Sequence, residues 1–504
     1  MNRLAKIPRP DRVELLLFIT IFLTSTFFSE IAYQTSNYTA RIFLTEAIVD
    51  RRTFKLDEYS EVLGVDGALF DGHLYSNKPP GSSLMMLPQY ILIAKPFKAL
   101  FDAANIDIDV HDQDYQIEDV FSGWLVQVFS LALYTAVAFV ALYRIFGQVG
   151  IKKRRFPLVL LSYFGTLMFA YSTIGTGEMY TVPPILLGTY YLFKTRLSIE
   201  HRSGIAEGDT EKSTSSRSFL QPQRKNFLIA GFWFGLAFLT TNQIALIILV
   251  ALAAIFWQEK DWKAPLMFLL PIAAAGVVTL AYNWLSFGNP LSFPIRFWTQ
   301  GTPEVILFEI PTVRKLAEML FFPWKGLFFY SPYLILSLPG FWQLYQASRA
   351  KEVESPVSVQ MVFFLSATPL LFFLFLLFNV GWFGGADFGF RYVIPVLPFL
   401  CIGSAIWLSE RKLTIPLILL IGWSVAVCSI GALTDPEVPT GIRNPLLSYN
   451  IPLLSSEGTN NLVNTFVDQL LNFDNWLLRF STTLLFMAFI SAIIWRYRSD
   501  WRDT

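Results

Sequence analysis

Runs of about 20 apolar residues recur along this 504-residue chain, the first from Val13 to about Tyr33. A run of that length crosses a ~30 Å hydrocarbon core as a helix. In lipid, every backbone N–H and C=O must find its partner inside the segment, which a helix provides. Composition agrees: 54% of residues are hydrophobic and only 15% charged, against about 25% charged in a soluble domain. The expected fold class is therefore all-α and integral to the membrane. A net charge of +1 suggests no nucleic-acid partner. Cys401 and Cys428 both fall inside apolar runs, which gives neither a disulfide framework nor metal-ligand spacing.

Charge orders the runs. Basic clusters at 152–155, 194–225, 258–263, 349–354, 410–412 and 496–502 alternate with acidic or neutral segments at 34–118, 175–178, 287–323, 380–391 and 433–475. Loops rich in Lys and Arg stay in the cytoplasm. Arg3, Lys6, Arg9 and Arg12 precede the first run, which is too long for a signal-peptide core. The expectation is a retained first span with a cytoplasmic N-terminus. Residues 83–101 carry Pro88, Lys95, Pro96 and Lys98, which suit a helix lying in the interface. With that segment on the outer surface, every basic cluster falls inside. About twelve spans follow: 13–33, 120–146, 156–174, 179–195, 227–240, 243–257, 265–286, 326–346, 357–379, 392–408, 414–432 and 476–495. The pair within 227–257 is tight for two crossings. The chain reads as one polytopic domain, 1–504, with both termini cytoplasmic. Residues 34–118 form a first external loop, 197–225 a mobile cytoplasmic loop, and 287–323 and 433–475 further external loops.

The chemistry gathers in the external segments. In "SNKPPGSS" the two prolines and a glycine make a rigid turn that aims Lys78 at headgroup depth, where a lysine suits a phosphate as a point charge. Arg41 in "NYTARIF" and Arg391 in "GGADFGFRYVIP" are further external cations. The carboxylates Asp57, Glu58, Glu61, Asp66 and Asp71 crowd the first loop. One of them suits a general base on a hydroxyl, or two a divalent cation; Asp57 and Asp66 are the preferred pair. Glu178 sits in the Gly-rich turn "TIGTGEMY", at a membrane boundary. His73 is the only histidine near these groups; His111 and His201 are scattered. There is no phosphate-binding glycine loop, dinucleotide fingerprint or zinc spacing.

The order "NYTAR … FDGHLYSNKPPG", "FAYSTIGTGE", "AYNWLSFGNPLSF", "GLFFYSP" and "GGADFGFRYVIPVLP" resembles polytopic glycosyltransferases of the GT-C fold. It is most similar to bacterial relatives of the protein O-mannosyltransferases and lipid A aminoarabinose transferases, family 39-like, over nearly the whole chain. The resemblance implies a GT-C-like bundle with interfacial helices in the first external loop, in a bacterial plasma membrane, with the active site on the periplasmic face. It implies a polyprenyl-phosphate sugar donor and a glycan, glycolipid or protein acceptor. It implies that Lys78 meets the donor phosphate and that Glu178 stands where the family keeps a second-loop acid, although close relatives carry histidine there; Arg41, His73, Asn283 and Arg391 are this chain's further candidates for binding the substrate. The family's first-loop aspartate should lie near Asn37–Arg41, where this chain has no acid. Asp57, Asp66 and Glu178 stay open as the catalytic base. A lipid-linked sugar flippase, or an inactive scaffold on the same fold, is the alternative; few charges inside the spans and many polar groups in the loops favour surface chemistry over passage.

Overall fold

The computed structural model describes residues 11–30, 36–104, 117–203, 221–259, 261–300, 308–350, 357–385, 387–463, 467 and 475–501. Most of the loop expected at 197–225, His111, and parts of the loops 34–118, 287–323 and 433–475 lie outside the described residues. Among the described residues, six helices are long and apolar enough to cross a membrane: Val120–Gln148, Lys263–Phe287, Val359–Phe378, Arg391–Ser409, Ile415–Leu433 and Trp476–Arg496. Each matches an expected span to within two residues, and the chain is an integral membrane protein.

Of the other expected spans, 179–195 lies within the longer helix Gly177–Ser203, and several of the rest are shorter or broken. The first is the 16-residue helix Arg12–Phe27. The run 156–174 divides into Arg155–Phe164 and Leu167–Tyr171, with Gly165 and Thr166 between; Thr166 turns extended and caps the second piece. The run 326–346 breaks after Leu327–Tyr330 and resumes as a 3₁₀ turn, Pro332–Leu336, then Ser337–Arg349. Pro332 explains the break, because it has no N–H and disfavours helical backbone in the residue before it. The tight pair within 227–257 resolves because its first helix, Gln221–Thr240, begins six residues early and turns at Thr241 into the next.

Burial ranks the spans. Arg391–Ser409 is 83% buried and central, whereas Trp476–Arg496 is 11% buried and peripheral. The central helix thus begins at Arg391, one of the external cations.

The first loop is a compact platform. Ser36–Glu46 is a fully packed helix. It passes through a π turn, Ala47–Arg51, to Arg52 in the left-handed region. A hairpin follows, Gly67–Phe70 antiparallel to His73–Ser76, with Phe70 opposite His73. Asp71 and Gly72, both at positive φ, make its two-residue turn, the geometry for which an Asp-Gly pair is preferred. The segment expected to lie in the interface is helical from Gly81 to Ala104 and is not among the six spans. A π turn at Tyr90–Ala94 interrupts it just before Pro96, whose missing N–H would otherwise leave a carbonyl one turn back unpaired. Leu92 and Leu100 are exposed while Met86 and Tyr90 are buried. Lys98 to Glu46 at 3.1 Å and Lys95 to Asp50 at 2.6 Å staple this helix to the platform. At its start the backbone lies against another helix end: a Cβ on Gly81 would fall 2.2 Å from the Leu239 carbonyl carbon, so the Lys78 loop is pinned to the end of Gln221–Thr240.

Candidate functional site

Buried ions from distant stretches of chain meet beside this platform. Arg41, 4% exposed on the Ser36–Glu46 helix, donates from Nε to the Ser82 hydroxyl at 2.8 Å and from Nη1 to the side chain and backbone carbonyl of Asn37. A Cβ on Gly177 would stand 2.2 Å from its Nη2. The glycine in "GTGE" thus makes room for the guanidinium.

Asp66 lies at the foot of the hairpin. Lys78 Nζ donates to its Oδ1 at 2.7 Å, Asn77 Nδ2 to the same atom at 3.1 Å, and Ser36 Oγ to Oδ2 at 3.2 Å. Burial alone would raise this carboxyl, but the Lys78 ion pair, Asn77 and Arg41 together outweigh it and hold it at about 2. For Lys78, burial and repulsion from Arg41 and Arg391 outweigh the pull of Asp66 and lower it from its ordinary value. Asp66 therefore brings an acid beside the Ser36–Arg41 turn, where the chain itself has none.

The opposite side comes from the loop before Arg391. Arg391 Nη1 pairs with Asp387 Oδ1 at 2.8 Å, its Nη2 donates to the Gly384 carbonyl at 2.6 Å, and its Nε lies 3.6 Å from Glu178 Oε1. Glu178 Oε2 is buried without a hydrogen-bond partner. Lys325, with no exposed side-chain surface, stands 3.9 Å from Asp387 Oδ2 and donates to the carbonyls of Gly385 and Asp387 at 3.2 and 3.1 Å. Burial lowers Lys325 to about 8 against the pull of Asp387, and burial raises Asp387 against Arg391 and Lys325. Glu437 bridges to Asp387 through backbone. Burial, only partly opposed by Arg391, and the nearby Asp387, Asp435 and Asp66 push its carboxyl up to about 8.

Glu437 gives a pH signature. Its ordinary value is 4.5 and its folded value about 8, so over that interval the folded state binds more protons than the unfolded one and loses stability as pH rises. The melting temperature is expected to fall between about pH 5 and about pH 7.5, and Glu437→Gln to flatten that slope, read by thermal unfolding at each pH. Lys325 acts with the opposite sign, but only above about 8.

The expected site residues separate into groups. Asp66, Lys78, Arg41, Glu178 and Arg391 come together. Asp57 and His73 form another group on the hairpin: His73 Nδ1 donates to Asp57 Oδ2 at 2.8 Å, and His73 Nε2 accepts from Lys55 Nζ at 2.8 Å. Asp57 is exposed and also accepts from the Leu74 N–H at 2.7 Å. Asn283 donates to the Pro290 carbonyl at 3.2 Å and so closes the turn after Lys263–Phe287. Among the described residues, no three of His, Cys, Asp and Glu stand together as a metal-ligand group. Sequence reasoning missed Lys325, Asp387 and Glu437. The first two were legible as lone charges inside "PWKG" and "GGADFGF".

No family model matches this chain, and no curated protein matches it. Among solved structures it is similar to ArnT from Cupriavidus metallidurans bound to undecaprenyl phosphate, at 12% identity and a TM-score of 0.45, over 97% of this chain and 74% of that one. The apo state of the same protein aligns at 12% identity and a TM-score of 0.41, over 79% and 59%. The archaeal oligosaccharyltransferase AglB from Archaeoglobus fulgidus, in complex with an inhibitory peptide and a dolichol-phosphate, aligns at 11% identity and a TM-score of 0.48, over 85% and 57%.

Proposed function

We propose that the protein is a membrane glycosyltransferase of the GT-C type. It moves a sugar from a polyprenyl phosphate to an acceptor hydroxyl at the external face of a bacterial plasma membrane, with inversion at the anomeric carbon. One observation carries the reading: Arg41 and Arg391, both buried, and Lys78, with 17% of its side chain exposed, come from three separate stretches and lie near enough to repel one another. Charges out of water need compensation; Asp66, Glu178 and Asp387 supply part of it, and the quoted motifs resemble a family that binds a phosphate among such cations.

The residues divide the work. As the bond from the sugar C1 to the phosphate oxygen breaks, its electron pair stays on the phosphate. Lys78, Arg41 and Arg391 then stabilise the growing charge more than they stabilise the bound donor. The acceptor oxygen bonds to C1 from the opposite face, and its proton goes to a carboxylate. Asp66, held at about 2 by Lys78, is a weak base and serves to position that lysine. Glu178 keeps an oxygen without a hydrogen-bond partner and is the acceptor of the proton. Asp387 orients Arg391.

Glu178→Gln keeps shape and removes the base. It is expected to lower kcat by about 10²- to 10⁴-fold with KM for the donor little changed, measured as labelled sugar transferred by purified protein in proteoliposomes. Full turnover in that variant defeats the assignment of the base. Movement of intact carrier lipid without transfer to any acceptor defeats the transferase itself.

A further inference from the structure

A second cationic recess lies away from the ion cluster. Three residues before Lys78, Tyr75 lines a cavity of about 380 Å³ together with Ile48, Arg52, Phe54, Lys55 and Leu285. That volume suits a small-molecule headgroup. Two cations line it and no carboxylate does. Arg51 next door is taken by Glu58, whereas Arg52 forms no ion pair among the described residues. Lys55 spends its Nζ on the His73 ring and not on an acid, and Asp57 stands behind that ring, paired to its other nitrogen.

The apolar part of the wall says where the recess opens. Leu285, 71% exposed, and its neighbour Trp284, 65% exposed, end the helix Lys263–Phe287, one of the six long enough to cross the bilayer. Large apolar side chains at the end of such a helix belong at the boundary between tails and headgroups, the level at which Trp is enriched. A pocket with cations on one side and a lipid-facing leucine on the other matches a ligand that is itself charged at one end and apolar at the other. We propose that this recess binds the anionic headgroup of a membrane amphiphile, with a phosphate or carboxylate against Arg52 and Lys55 and the apolar chain leaving over Leu285. The site is separate from the donor-phosphate cluster and stands whether or not the protein transfers a sugar.

The test is calorimetric titration of the full-length protein in uncharged detergent. The probes are short-chain phosphatidic acid, phosphatidylcholine of the same chain length, and inorganic phosphate. The expected result is phosphatidic acid binding to the wild type about tenfold or more tighter than to Arg52→Gln/Lys55→Gln, and tighter than either other probe by a similar factor. Lys78→Met combined with Asp66→Asn, which removes both charges of that ion pair, should leave that binding in place. Equal affinity in the wild type and the double variant overturns the site, as does phosphatidylcholine binding as tightly as phosphatidic acid. Inorganic phosphate binding as tightly overturns the amphiphile in favour of a soluble anion, and loss of binding in Lys78→Met with Asp66→Asn moves the anion to the other cluster. Arg52→Gln alone, expected to keep the wild-type melting temperature because its side chain is exposed, repeats the comparison if the double variant does not fold.

Discussion

Lys78→Ala is expected to abolish most sugar transfer, by about 10²- to 10³-fold or more, the usual consequence of removing one preorganised group from a developing charge. It should also lower stability. Its partner Asp66 has only 12% of its side chain exposed, and a buried charge left without a counter-ion costs about 3–5 kcal/mol. The two effects separate in a second variant. Lys78→Met with Asp66→Asn removes both charges, so the melting temperature is expected to recover while transfer stays lost. Thermal unfolding and transfer of labelled sugar, measured on both variants, decide the matter. If transfer returns together with stability, Lys78 holds the loop and not the donor phosphate.

The largest loss of stability is expected from Asp387→Ala. This carboxylate holds Arg391 at 2.8 Å and faces Lys325 at 3.9 Å, with 2% of its side chain exposed. Without it, Arg391 keeps Glu178 at 3.6 Å, and Lys325 loses the acid that stands 3.9 Å from it. A cost of about 3–5 kcal/mol or more is expected, seen as the lowest melting temperature among single substitutions at the site. Asp57→Ala breaks a polar contact too, but an exposed one to the His73 ring, 44% exposed on the acid side, and is expected to cost under about 1 kcal/mol. Equal destabilisation by the two substitutions, measured in the same detergent, defeats the claim that the ion cluster is buried as a unit.

The residues show why some of this was legible in sequence. Spans such as 357–379 and 414–432 come through because twenty apolar residues have one solution in lipid. Lys78 comes through because two prolines and a glycine announce a rigid turn. The hairpin was equally announced by "FDGHLYS", with Asp-Gly as its turn pair, but the surrounding acids drew the reading toward a solvated loop. The choice between Asp57 and Asp66 was not legible. Both are loop acids near a glycine or a cation, and only tertiary contact shows one exposed beside His73 and the other enclosed by Lys78, Asn77 and Ser36. Asp387 and Lys325 escaped because an ion pair between residues 62 positions apart leaves no local pattern.

The cluster draws on Arg41, Asp66, Lys78, Glu178, Lys325, Asp387, Arg391 and Glu437, most of the length of the chain. During synthesis the early members enter the bilayer region long before their counter-charges exist. Arg41 waits for Glu178 and Lys325 waits for Asp387, whereas Lys78 follows its partner Asp66 by 12 residues. A nascent protein halted before residue 387 therefore carries Lys325 without the acid that faces it in the finished fold.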